Sequence, residues 1–180
     1  MSRKQQNPVV GAFCGLVGGV AASAVMDVYW KVVKETLGER PEQKPKGKND
    51  GQKEEPPSTQ VVADKFSQAL TGKEVSKKDK AKAGIGVHYA TGLFFGALFG
   101  IAAALRPRLG VIGGLFYGAA IWATLDEVGL RVLGIAPDPG KVPPIEHAQA
   151  FGAHLAYGSS TAIFTRLLLK LLGGRPLREL

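Results

Sequence analysis

Apolar residues along this chain fall into four long runs and never alternate with period two. The first extends from about Val9 to Val33 and carries no charge before Asp27. The second, about Ala83 to Leu105, contains no Asp, Glu, Lys or Arg. The third begins at Leu109, is uncharged to Leu125, and continues past Asp126 and Glu127 to about Leu133. The fourth, about His147 to Leu172, is uncharged as far as Thr165. A ~30 Å hydrocarbon core needs roughly 20 apolar residues in a helix, and all four runs reach that length. Backbone facing lipid is satisfied only inside a helix or a closed barrel, and the lack of alternation excludes the barrel. The pattern predicts an all-α fold: a four-helix transmembrane bundle with a polar segment between its first two helices.

Three regions follow: residues 1–34 with the first span, 35–82 as the polar segment, and 83–180 with the other three spans. Residues 39–58 are poor in apolar side chains and rich in Lys, Glu, Pro and Gly, a composition that predicts disorder. Beyond them Val61, Val62, Phe66, Ala69 and Leu70 recur at helical spacing. Ser58 or Thr59 is placed to cap this helix and Gly72 to stop it, so residues 59–71 read as a short amphipathic helix on the membrane surface or on the bundle. Arg106-Pro107-Arg108 is nearly the whole link between the second and third spans, which makes them antiparallel neighbours. The last loop carries Pro137, Pro139, Pro143 and Pro144 and reads as a rigid cap.

The runs are related in pairs. Gly11, Gly15 and Gly19 recur every four residues with Asp27 eight positions later; Gly110, Gly114, Gly118 and Asp126 repeat that spacing. Gly86-Val-His88-Tyr-Ala90-Thr-Gly92 in the second run matches Gly152-Ala-His154-Leu-Ala156-Tyr-Gly158 in the fourth. Two pseudo-symmetric helical hairpins are expected, because a two-span unit keeps its orientation when repeated. The glycines need no ligand to explain them. Small residues every four positions let helix backbones approach, which is how helices associate where lipid supplies no hydrophobic drive. A phosphate-loop reading fails, since no glycine loop follows a strand and no GK[ST] is present.

Bulk composition hides this organisation. Mean hydropathy is +0.04 and 21% of residues are charged, values that average a polar segment with near-apolar remainder. The net charge of +8 suits anionic lipid headgroups near the Lys-rich stretch Ser76–Lys82; nucleic acid is not expected, since the basic residues are interleaved with acids. The single cysteine, Cys14, excludes an intramolecular disulfide. The apolar run after Arg3 and Lys4 exceeds a signal-peptide core and three more follow, which favours a retained first span. Arg3, Lys4, Arg106, Arg108, Arg166, Lys170, Arg175 and Arg178 fall on one side, so both termini are expected to be cytoplasmic, against a competing excess of lysines in the polar segment.

Candidate chemistry lies in one layer. At 1.5 Å per residue Asp27 is ~27 Å from Val9 and Asp126 ~26 Å from Leu109, while His88 and His154 are ~8 Å and ~11 Å from the starts of their helices at the same face. Asp27, His88, Asp126, Glu127 and His154 therefore share a depth, with Glu146 and His147 just above. Ionisable groups inside spans are costly and face the bundle interior or a water-filled cavity. Imidazoles with carboxylates suit a divalent transition metal or a proton relay. No HExxH, CxxC or one-helix ExxH is present, and no cofactor is expected. The competing account makes Asp27–Lys31 and Glu127–Arg131 i,i+4 ion pairs, with the histidines as interhelical hydrogen-bonding groups. Tyr29, Trp30 and Trp122 read as interfacial aromatics. Ser159 and Ser160 have no nucleophile elbow around them.

The stretches Gly134-Ile-Ala-Pro137, Pro143-Pro144-Ile-Glu146 and Ala150-Phe-Gly-Ala-His154-Leu155 resemble the YagU-like family of small bacterial inner-membrane proteins, in which a proline-rich loop leads into a final helix opening with Glu and a Gly-His pair. Here Ala153 separates the Gly from the His. The resemblance covers about the last 70 residues and implies a bacterial inner membrane, cytoplasmic termini and an all-helical fold; it transfers no catalytic residue. The leading functional expectation is a non-enzymatic membrane protein, envelope-supporting or a small subunit of an assembly, working as a homo-oligomer or with a membrane-protein partner. The alternatives are a proton or cation pathway, or a metal site, at the polar layer.

Overall fold

A computed structural model describes residues 6–37, 56–136, 140 and 142–172. The expectations placed on Arg3, Lys4, Arg175 and Arg178, on residues 39–55, and on Pro137 and Pro139 lie outside these residues. Among the described residues every regular element is a helix, with no strand. The helices are α1 (Pro8–Leu37), α2 (Ser58–Thr71), α3 (Lys80–Leu105), α4 (Val111–Val132) and α5 (Pro144–Leu172). Of these, α1, α3 and α4 are long and apolar enough to cross a membrane. At 29 residues α5 has the length but not the hydropathy, because Ser159, Ser160, Thr161 and two histidines dilute its apolar face.

Helix boundaries follow local chemistry. Pro144 opens α5, where its missing N–H is no loss. Gly72 ends α2 in the left-handed region, at φ 71°, and its N–H donates to the Gln68 carbonyl. The start of α2 differs from expectation: Pro57 occupies the N-cap and no side chain caps the helix, because a proline there already sets the chain direction into the first turn.

In space the order is α3–α1–α5–α4, with α2 resting on α3. Close approach between α1 and α3 rests on facing glycines. A Cβ on Gly15 would fall 2.1 Å from the Gly96 carbonyl oxygen, and one on Gly19 would fall 2.2 Å from that of Gly92. Between α4 and α5, a Cβ on Gly114 would fall 2.4 Å from the Gly158 carbonyl oxygen. Only a residue without a side chain fits such backbone-to-backbone contact.

The buried interior is made of small and hydroxyl side chains, among them Cys14, Ala22, Ala103, Ala162, Thr161 and Thr165. Large apolar side chains lie outside, Phe116 74% and Val132 81% exposed. A water-soluble bundle has the reverse arrangement, and an apolar exterior of this extent marks a surface that meets something other than water.

Two tyrosines tie the interior crosswise to α3. Tyr157 donates to the Gly92 carbonyl at 2.7 Å, and Tyr117 to the Phe95 carbonyl at 2.6 Å. Interhelical hydrogen bonds in lipid contribute about 0.6 kcal/mol on average and at most about 1.7. Tyr157→Phe is therefore expected to cost about 1 kcal/mol, read as a lowered unfolding midpoint in detergent; an unchanged midpoint refutes the role.

Among the described residues, polar contacts fasten the helix ends at two faces. At the first face, Gln6 bonds to Ala104 and to Leu169, and Arg166 donates to the carbonyls of Leu109 and Pro107, holding the short link after α3 against α5. At the other, α2 is fastened to the start of α3: Lys80 Nζ meets Asp64 Oδ2 at 2.5 Å, and the Val75 N–H donates to Asp64 Oδ1 at 3.1 Å. The Phe66 and Leu70 side chains of α2 are left exposed.

Candidate functional site

Residues Trp122–Gly129 of α4 form a π-helical segment. A wider turn leaves consecutive side chains separated by less than the ~100° of an α-helix. Asp126 and Glu127 thereby both reach α5. Thr124 donates to the Ala120 carbonyl in the preceding α-helical turn at 2.7 Å, and the N–H of Leu130 reaches back five residues to Leu125. Segments of this kind concentrate at functional sites.

Each of the chain's three histidines meets a carboxylate on another helix. His88 of α3 places Nε2 3.3 Å from Asp27 Oδ1 of α1, and its neighbour Tyr89 donates to Asp27 Oδ2 at 2.8 Å. His147 of α5 places Nδ1 2.7 Å from Glu127 Oε1, while Arg131 binds the other oxygen of Glu127. His154 of α5 places Nδ1 3.7 Å from Asp126 Oδ2. The same nitrogen lies 2.9 Å from the Ala150 carbonyl, which can only accept, so the His154 proton sits on Nδ1. Asp27 thus reaches across to α3 instead of along its own helix to Lys31, whereas the Glu127–Arg131 pair of α4 forms as its i,i+4 spacing predicts.

These groups line a half-open cavity of about 1340 Å³. Its polar rim includes Asp27, Lys31 and Lys34 of α1, with His88 of α3 and Glu127 and Arg131 of α4. Glu146, 7% exposed, and His147 and His154 come from α5, and the start of α2 contributes Ser58 and Gln60. The deeper wall is apolar: Phe94, Phe95, Ile121 and Leu125, with Tyr157. Asp27, His88, Asp126, Glu127, Glu146, His147 and His154 are all on its lining. Among the described residues no three His, Cys, Asp or Glu side chains stand close enough to hold one metal ion together. The layer is a set of interhelical pairs around a cavity.

Three features were not anticipated from the residues alone. The π-helical turn carries no composition signal beyond Thr124 and Gly129. Tyr117 and Tyr157 look like ordinary aromatics until their carbonyl partners are known. Of the aromatics expected at the interface, Tyr29 lies against Gly152 of α5, where an added Cβ would meet its hydroxyl at 2.3 Å, and Trp122 meets Phe151 edge-on with centroids 5.0 Å apart. Both make contacts between helices.

No protein-family model matches the chain, and no curated protein or solved structure matches it.

Proposed function

We propose that this is a non-enzymatic, multi-pass membrane protein whose polar layer forms a binding vestibule at one face of the bilayer. The observation that carries the reading is the distribution of side-chain size, small residues inside and large apolar ones outside, on helices long enough to span. In this reading α5 is the fourth span: it is long enough, and its polar residues point to the interior, where Tyr157, Thr161 and Thr165 are buried. The facing glycines act as a glycine zipper, and the chain is an internal repeat of two hairpins in which Asp27–His88 and Asp126–His154 are equivalent pairs. The second zipper is displaced by one turn, since Gly118 faces His154 where Gly19 faces Gly92.

An even number of spans places both termini on one side, and Arg106, Arg108, Arg166 and Lys170 at that side support a cytoplasmic placement. The resemblance to the YagU-like proteins supports a bacterial inner membrane. An envelope-supporting role, or that of a small subunit in a membrane assembly, fits a bundle of this size. A continuous proton or cation pathway fits less well, because beyond the vestibule Cys14, Phe99, Ala103, Ala162 and Leu169 close into a core.

Single cysteines test this directly. In a Cys14→Ala background, Gln68→Cys on α2 and Arg108→Cys in the short link are expected to react with an impermeant maleimide from opposite sides of sealed membranes. Labelling of both from the same side, or release of the protein by alkaline carbonate, refutes the reading.

A further inference from the structure

The two sides of the bundle are closed differently. α1 meets α5 through small residues: an added Cβ on Gly18 would lie 2.6 Å from Thr165 Oγ1, and Ala22 shares a buried cluster with Ala153. The positions that correspond to Gly18, Ala22, Thr161 and Thr165 in the other copy of the repeat are Tyr117, Ile121, Phe95 and Phe99. Where one interface has glycine, alanine and threonine, the other has four large side chains. The backbones of α3 and α4 accordingly come together at hardly any point, although only a short link joins them. Tyr117 bridges them midway, with its ring 5.2 Å from that of Phe99 and its hydroxyl on the Phe95 carbonyl. On the polar-layer side of this bridge the cavity is lined by Phe94 and Phe95 of α3 and by Ile121 and Leu125 of α4.

The dimensions and chemistry of that cavity select its occupant. From Gly84, beside α2, to Phe95, α3 rises ~16 Å, close to half of a ~30 Å hydrocarbon core. A partner's transmembrane helix needs the full thickness and is stopped at the Tyr117–Phe95 bridge. The whole cavity, shared with α1, α2 and α5, exceeds the roughly 300–1,000 Å³ of ordinary small-molecule sites. The inner wall is apolar and includes Phe94, 59% exposed. The rim carries both signs of charge, Asp27, Lys31 and Lys34 on α1 and Glu127 on α4. An apolar chain ending in a head that bears both charges matches all of this.

We propose that the cleft between α3 and α4 holds one zwitterionic phospholipid drawn sideways from a single leaflet. Its acyl chain lies between Phe94–Phe95 and Ile121–Leu125. Its phosphate meets Lys31 and Lys34, and its ammonium group meets the carboxylates of the polar layer. This rests on the membrane reading above and assigns a ligand to the same vestibule.

Tryptophan quenching tests it on the full chain. Trp30 lines the cavity and Trp122 is the only other tryptophan, so Trp122→Phe leaves one reporter. Delipidated protein in detergent is titrated with phosphatidylethanolamine brominated at mid-chain. Saturable quenching at one lipid per chain is expected. Thr91→Phe, which fills the cleft, is expected to weaken it about tenfold or more, with Ala150→Leu on the facing wall as a second filling variant. Lys31→Ala with Lys34→Ala is expected to weaken it several-fold.

Quenching that grows without saturation and is unchanged by either filling variant overturns the proposal. Displacement by phosphorylethanolamine alone overturns the lipid chain's part, and equal binding of phosphatidylglycerol overturns the zwitterionic head. Protection of Trp30 that rises with protein concentration makes a second copy the occupant and also overturns it. Opposite-side labelling of Gln68→Cys and Arg108→Cys with unsaturable quenching removes the lipid site alone; same-side labelling removes the membrane reading itself.

Discussion

Gly15→Leu is expected to abolish the folded bundle, and Gly15→Ala alone to destabilise it severely. The added Cβ would lie 2.1 Å from the Gly96 carbonyl oxygen and 2.8 Å from the Gly100 Cα. Both neighbours are backbone, so no rotamer change relieves the clash; the two helices must separate. Overpacking a core ordinarily costs about 1–3 kcal/mol. Separation here also forfeits the contacts of Gly11 and Gly19 along the same seam, so the loss for alanine should reach the upper end of that range. Gly86→Ala is the matched control. Nothing lies within 4 Å of its added Cβ, and replacing a mid-helix glycine by alanine gains about 0.5–1 kcal/mol. Thermal unfolding in detergent should therefore fall steeply for Gly15→Ala and stay level or rise for Gly86→Ala. Equal midpoints for the two variants would falsify the account of how α1 and α3 adhere.

The second large effect belongs to Glu127. It accepts from His147 and binds Arg131, so Glu127→Ala strands a guanidinium and an imidazole at once. Removing one member of a fully buried ion pair costs about 3–5 kcal/mol. These side chains keep 14–23% of their exposure, which lowers the expected loss to about 2 kcal/mol. Glu127→Gln retains an acceptor for His147 and should recover roughly half of that loss. A Glu127→Ala protein that unfolds at the wild-type midpoint would show that the pair does not hold α4 to α5.

Much of this was legible in the residues because it depends on spacing along one helix. Apolar runs set the long helices, glycine periodicity marked the faces that touch, and rise per residue placed the acids and histidines at one depth. The amphipathic α2 and its stop at Gly72 were readable for the same reason. Partner choice was not. Asp27 has a lysine one turn away at Lys31 yet pairs with His88, because the glycine contact brings α3 alongside α1. His147 looked peripheral, but the π-helical turn aims Glu127 at it.

The sequence by itself determined the helical class, the long apolar helices and the small-residue seams, since each is a one-dimensional property of spacing and side-chain size. Tertiary structure alone decided that α1–α5 closes while α3–α4 stays apart. That outcome depends on which large side chains, Tyr117, Ile121, Phe95 and Phe99, come to face one another across two different helices. No single-helix periodicity carries that information, and the cavity exists because of it.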